Sequence, residues 1–148
     1  MYTHILYPTD LSATSNAGFG EALELAGKLG AKLTLLTIHG EFMDEEEMQS
    51  LRVSVESYQE MMKNHAVASR EKLQKLLDEH GAAGQAEMLL REGNPRKEIV
   101  ATAKEIGADL IVMTSNGRSN LTEALLGSVA EHVVRTSPLP VLVVKVKR

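Results

Sequence analysis

Between positions 113 and 133 the chain reads MTSNGRSNLTEALLGSVAEHV, directly after the apolar run ADLIV. Nine residues lie between Gly117 and Gly127, and Ser128 follows the second glycine at once. A helix that starts at Ser128 leaves its first amide N–H groups without partners inside the helix. Those donors, with the positive end of the helix dipole, form an anion site suited to a phosphate. A glycine on each side lets the backbone approach a ligand oxygen closely. Ser128-Val129-Ala130-Glu131 also fits a capping box, in which the serine hydroxyl serves the helix itself. A second outcome is open to the same residues. TEALL is a run of helix formers, and a helix begun near Thr122 would pass straight through Gly127. Two glycines alone do not separate these readings.

A second group lies near the start, where YPTDLS places Pro8, Thr9, Asp10 and Ser12 just beyond an apolar run. An aspartate at a strand end can accept hydrogen bonds from a ribose hydroxyl or an adenine amino group. It can equally hold the turn or cap the helix that follows. His39 follows a later apolar run and is within reach of the same crevice, whereas His132 falls inside the last helix and reads as a packed or surface residue. The chain has no Gly-x-x-x-x-Gly-Lys-Ser/Thr loop and no HExxH, so no catalytic residue and no metal ligand is assigned.

The elements that must position these groups alternate from end to end. Apolar runs at His4–Tyr7, Leu33–Ile38, Ala86–Arg91, 108–114 and 140–146 read as buried strands. Between them lie helical patterns. One follows Ser12 and ends at Gly30, one follows a loop inside the charged, methionine-rich stretch 41–80, and one is capped by Asn94 with Pro95 at its first position and ends at Gly107. The acidic DEEE at 44–47 reads as a solvated helix start. Near-continuous apolar strands separated by helices predict an α/β fold, a doubly wound parallel sheet in one domain spanning 1–148 with helices on both faces. Ligands of such sheets bind at the carboxyl ends of the strands where the winding reverses. If the first and fourth strands are neighbours, both groups of residues face one crevice.

Composition narrows the class further. A net charge of -4 and a pI near 5.7 argue against nucleic acid as the main partner. Aromatic residues make up only 3% of the 148, so the core must be aliphatic. There is no cysteine, which excludes disulfides, thiolate chemistry and cysteine-held zinc. No run approaches the length of a membrane span, and MYTHILYPTD lacks a signal-peptide pattern, so a cytoplasmic protein with no membrane partner is expected.

Taken together, HILYPTDLS, EALELAGKLGAKLTLLTIH, REGNPRKEIVATAKEIGADLIVMTSNGRS and LLGSVAEHVVRTSPLPVLVV, in this order, make the chain resemble the universal stress proteins over nearly its whole length. The resemblance implies a five-stranded sheet ordered 3-2-1-4-5 and a homodimer joined through the last strand, residues 140–146. It implies a stress-related regulatory protein in a family divided between members that bind ATP and members that do not. In the binders Gly-x-x-Gly is followed by nine residues and Gly-Ser or Gly-Thr. Here Gly117, Gly127 and Ser128 match, but Thr114 stands at the first glycine. By the same resemblance Pro8, Thr9 and Asp10 line the adenosine side, Ile38 offers its backbone to the base, and Met113 and Thr114 lie by adenine and ribose. Gly117, Gly127, Ser128 and Val129 hold the phosphates, through which Mg²⁺ or Mn²⁺ is carried. Hydrolysis, with Asp10 the nearest carboxylate, would be slow at most. A threonine at 114 is expected to crowd the ribose, to strain the backbone if the position needs positive φ, or to contact the ribose through its hydroxyl. The alternative is a nucleotide-free member acting on an unknown protein partner, with Met43, Met48, Met61 and Met62 as an adaptable surface.

Overall fold

The structure, a computed structural model, describes residues 1–40, 43–117 and 125–146. Five strands, β1 (His4–Pro8), β2 (Lys32–His39), β3 (Glu87–Glu92), β4 (Leu110–Thr114) and β5 (Val141–Val144), form a parallel sheet ordered β3-β2-β1-β4-β5. Each lies within two residues of the run that predicts it. The order reverses between β1 and β4, which pair through Ile5 with Leu110 and Leu6 with Ile111. A crevice therefore opens at the carboxyl ends of these two strands.

Side chains alternate across the strands, so each face builds its own core. On one face Ile5, Tyr7, Leu33, Leu35 and Val112 pack against Phe19 and Ala22 of α2 (Phe19–Leu29) and Leu73 and Leu77 of α4 (Val55–Glu79). On the other, Leu6, Leu36, Ile111 and Met113 meet Ile99 and Ala103 of α5 (Pro95–Glu105) and Ala130 and Val133 of α6 (Ser128–Thr136). Among the described residues Tyr7 and Phe19 are the fully buried aromatic rings, in edge contact 5.7 Å apart. The amino end of the sheet is clipped by Asp109, whose carboxylate accepts from the Thr3 and His4 amides at 2.8 to 3.1 Å. Those donors hold the Asp109 carboxyl below its ordinary range.

Three local readings change in the folded chain. The pattern from Ser12 to Gly30 is two helices, α1 (Ala13–Ala17) and α2, broken at Gly18. A Cβ at Gly18 would lie 2.5 Å from Thr114 Cγ2 and 2.6 Å from Tyr7 Oη, so the break lets the backbone pass close over both. A short helix, α3 (Glu45–Ser50), precedes α4; Asp44 caps it by accepting from the Glu47 amide at 2.8 Å, and its acidic first turn is exposed. Finally, Gly127, not Ser128, caps α6. Its backbone is extended there, at φ -65° and ψ 161°, so no helix runs through it, and Ser128 is the first helical residue. The capping-box reading fails because the cap is set by the backbone turn at glycine, with no side-chain bond. Asn94, by contrast, caps α5 as expected, accepting from the Arg96 amide at 2.9 Å with Pro95 at the first helical position.

Candidate functional site

At the carboxyl edge of β1 and β4 lies a cavity of about 480 Å³, within the range of small-molecule and cofactor sites. Pro8, Thr9, Asp10, Ile38, Met113, Thr114, Gly117, Gly127, Ser128 and Val129 all line it. These ten residues come from four separate stretches of chain, and the reversal of strand order brings them together.

The β1 end forms one wall. Thr9 is buried, and its hydroxyl is committed to the turn: it donates to Asn16 Oδ1 at 2.8 Å and accepts from the Leu11 amide at 3.0 Å. Asp10 Oδ1 accepts from the Ser12 amide at 3.0 Å, an Asx turn that fixes the carboxylate at the cavity. Leu11, between them, holds a left-handed φ of 66°, uncommon for a branched side chain and typical of loops that hold a site under strain. Beneath this wall the Tyr7 hydroxyl donates to the Ser15 carbonyl at 2.5 Å, and burial, with the Asp10 charge next, pushes its ionisation far above the usual tyrosine range.

The β4 end forms the second wall. Ser115 continues the pairing with β5 through its amide to the Val144 carbonyl at 3.1 Å, and the Gly127 amide donates to the Ser115 carbonyl at 2.6 Å. The loop therefore leaves and returns at one point. Both glycines let the chain pack closely there. A Cβ at Gly117 would collide with the Asp10 carboxylate, and one at Gly127 would lie 3.2 Å from Asn116 Cα. The Glu131 amide donates the first helical bond, to the Gly127 carbonyl at 2.9 Å. The amides of Ser128, Val129 and Ala130 precede that bond and have no partner within α6.

Thr114 does not act as the glycine comparison suggests. It lies in extended β4, not at positive φ, so the backbone is not strained. Its hydroxyl donates to the Asn116 carbonyl at 2.9 Å, and its methyl faces the glycine at position 18. The residue is 5% exposed and lines the cavity.

A third wall was not legible as such. His39, at the end of β2, meets His65 of α4 with Nδ1 atoms 2.9 Å apart, and Ser69 and Lys72 follow along the same helix to the cavity. Burial, then His65, lowers the His39 pKa below 6.5, while Glu92 opposes the shift. The signal for this wall is the spacing of His65, Ser69 and Lys72, which extends the buried stripe of Leu73, Leu76 and Leu77 by polar residues. Of the methionines considered as a surface, Met48 is buried and Met61 is 48% exposed.

A sheet wound in this order, with its crevice walled by a glycine loop and a helix N-terminus, defines a class of α/β proteins. The universal stress protein family model matches residues 1–145, and the chain belongs to that family. It is 34% identical to universal stress protein MJ0577 of Methanocaldococcus jannaschii, over 99% of this chain and 97% of that protein. It is 31% identical to YxiE of Bacillus subtilis, over 98% of this chain and the whole of that protein. The solved structure of MJ0577 superposes with a TM-score of 0.75 over 100% of this chain and 99% of that one. A universal stress protein solved in complex with cAMP superposes with a TM-score of 0.66, at 26% identity, over 99% of this chain and 98% of that one.

Proposed function

We propose that this protein is a stress-related regulatory dimer that binds ATP, or another adenine nucleotide, in the cavity between β1 and β4. The observation that carries the reading is the meeting of two features. Ser128 and Val129 at the start of α6, whose amides have no partner within the helix, line the same cavity as Asp10, with Gly117 and Gly127 on its wall. Phosphate oxygens accept from the Ser128 and Val129 amides, where the helix dipole adds attraction. Asp10 accepts from the ribose or the adenine amino group, the Ile38 backbone reads the base, and Pro8, Thr9, Met113 and Thr114 enclose the nucleoside. The relative crystallised with cAMP supports an adenine ligand at the level of the family. Mg²⁺ or Mn²⁺ travels with the phosphates and water. Hydrolysis, with Asp10 the nearest carboxylate, is slow at most in this reading, and the nucleotide acts as a bound signal.

The dimer forms through the last strand. β5 is the sheet edge, and Leu142 on it is 45% exposed, so an edge of apolar residues is left to be covered by a two-fold mate. No helix among the described residues is long and apolar enough to cross a membrane, and we place the protein in the cytoplasm. Ser128→Asp tests the site, because it sets a negative charge against the phosphates without disturbing a helix start. Native protein binds Mg-ATP at one per chain in calorimetry, and the variant loses about a hundredfold or more, roughly 2.7 kcal/mol. Equal affinity in the two proteins would refute the placement of the phosphates.

A further inference from the structure

We propose that His39 and His65 form a two-imidazole site for a divalent late first-row transition ion, of the Ni²⁺ or Cu²⁺ kind, in the wall of the cavity. This does not rest on nucleotide binding. The two Nδ1 atoms face each other at 2.9 Å, with ring centres 4.6 Å apart and ring planes inclined by 51°. Without an ion the pair holds one proton between two ring nitrogens, one donating and one accepting. Two nitrogens bound at about 2.0–2.1 Å and at right angles to each other stand about 2.9 Å apart, the spacing of neighbouring ligands in square-planar or octahedral geometry. An ion that bridges the two nitrogens displaces this proton.

The surroundings fit such a role. His39 is 6% exposed and anchored at the end of a central strand, whereas His65 is exposed on α4, so one ligand is fixed and the other admits the ion. His39 Nε2 is buried without a hydrogen-bond partner. Glu92 stands opposite His39 in the β2–β3 register, and its charge acts on the imidazole. Glu92 makes no hydrogen bond to the ring, so it favours a bound cation through its charge alone. Lys72 lines the same cavity and adds a positive charge to its wall. Among the described residues no third histidine or carboxylate joins the pair, so the remaining positions belong to water or to a ligand oxygen in the cavity.

The test is a calorimetric titration of nucleotide-free protein with NiCl₂ at pH 7.5, repeated with His65→Ala and with Glu92→Gln. Alanine suits the exposed helical position, so His65→Ala keeps the fold, which circular dichroism verifies. Native protein saturates with one ion per chain, His65→Ala loses about tenfold or more in affinity, and Glu92→Gln weakens binding to a smaller extent. The electron paramagnetic resonance spectrum of the Cu²⁺ form shows two nitrogen ligands in the native protein and fewer in His65→Ala. Failure of the native protein to saturate below about 1 mM, or a loss under about threefold in His65→Ala, overturns the proposal.

Discussion

Thr114 is the residue at which family pattern and structure diverge, and Thr114→Val isolates its role. The change keeps the branched shape and the methyl over Gly18 but removes the hydroxyl that donates to the Asn116 carbonyl at 2.9 Å. Thr114 and Asn116 are 5% and 6% exposed, so water replaces that donor poorly. Losing a hydrogen bond to a buried carbonyl costs about 1–3 kcal/mol. For a domain of this size each kcal/mol lowers Tm by about 2–4 °C, so a fall of roughly 2–12 °C is expected. Asn116 also lies against Gly127, and loosening it disturbs the backbone beside the proposed phosphate site. Mg-ATP affinity therefore falls together with stability. Thr114→Ser is the control: it keeps the hydroxyl, removes one buried methyl worth about 0.8 kcal/mol, and retains most of the affinity. The measurements are thermal unfolding and calorimetric titration of the three proteins side by side. A valine variant that keeps its Tm and loses its affinity would refute the reasoning, because the hydroxyl would then belong to the ligand and not to the loop.

Other substitutions probe the remaining elements. Gly127→Ala places a methyl 3.2 Å from Asn116 Cα and 3.3 Å from the Ser115 carbonyl, so the loop must shift by a few tenths of an ångström; Tm falls by a few degrees and Mg-ATP affinity drops about tenfold, both read as above. Leu142→Lys sets a charge on the exposed edge strand, and in sedimentation the proposed dimer is expected to give way to monomer. The pH dependence has a defined sign. Burial, then Lys32, lowers the His4 pKa below 6.5, so the unfolded chain binds more protons than the folded one. Stability present above pH 6.5 is thus lost as pH falls through the folded value, and His4→Gln makes denaturant midpoints less sensitive to acid over that range.

The sheet is legible because each strand is an apolar run stopped by polar residues, glycine or proline. The sequence also shows that two groups of chemically apt residues lie at strand ends, where a reversal of strand order joins them. What escapes is decided by contacts distant in sequence. The break at Gly18 is set by Thr114 and Tyr7, which no local pattern around residue 18 reveals. Ser128 carries every mark of a helix cap, yet the extended backbone of Gly127 takes that place. His65 sits 26 residues from His39, and nothing in the long polar face of α4 says which turn will meet the end of β2.

The central claim is that the start of α6 holds phosphate. The most direct measurement compares the affinities of ATP and adenosine for nucleotide-free protein, in the presence of Mg²⁺ and at physiological salt. ATP binding at least about a hundredfold tighter than adenosine, a difference of roughly 2.7 kcal/mol, is the predicted result. Equal affinities for the two, or no binding of ATP by folded protein at millimolar concentration, would contradict it.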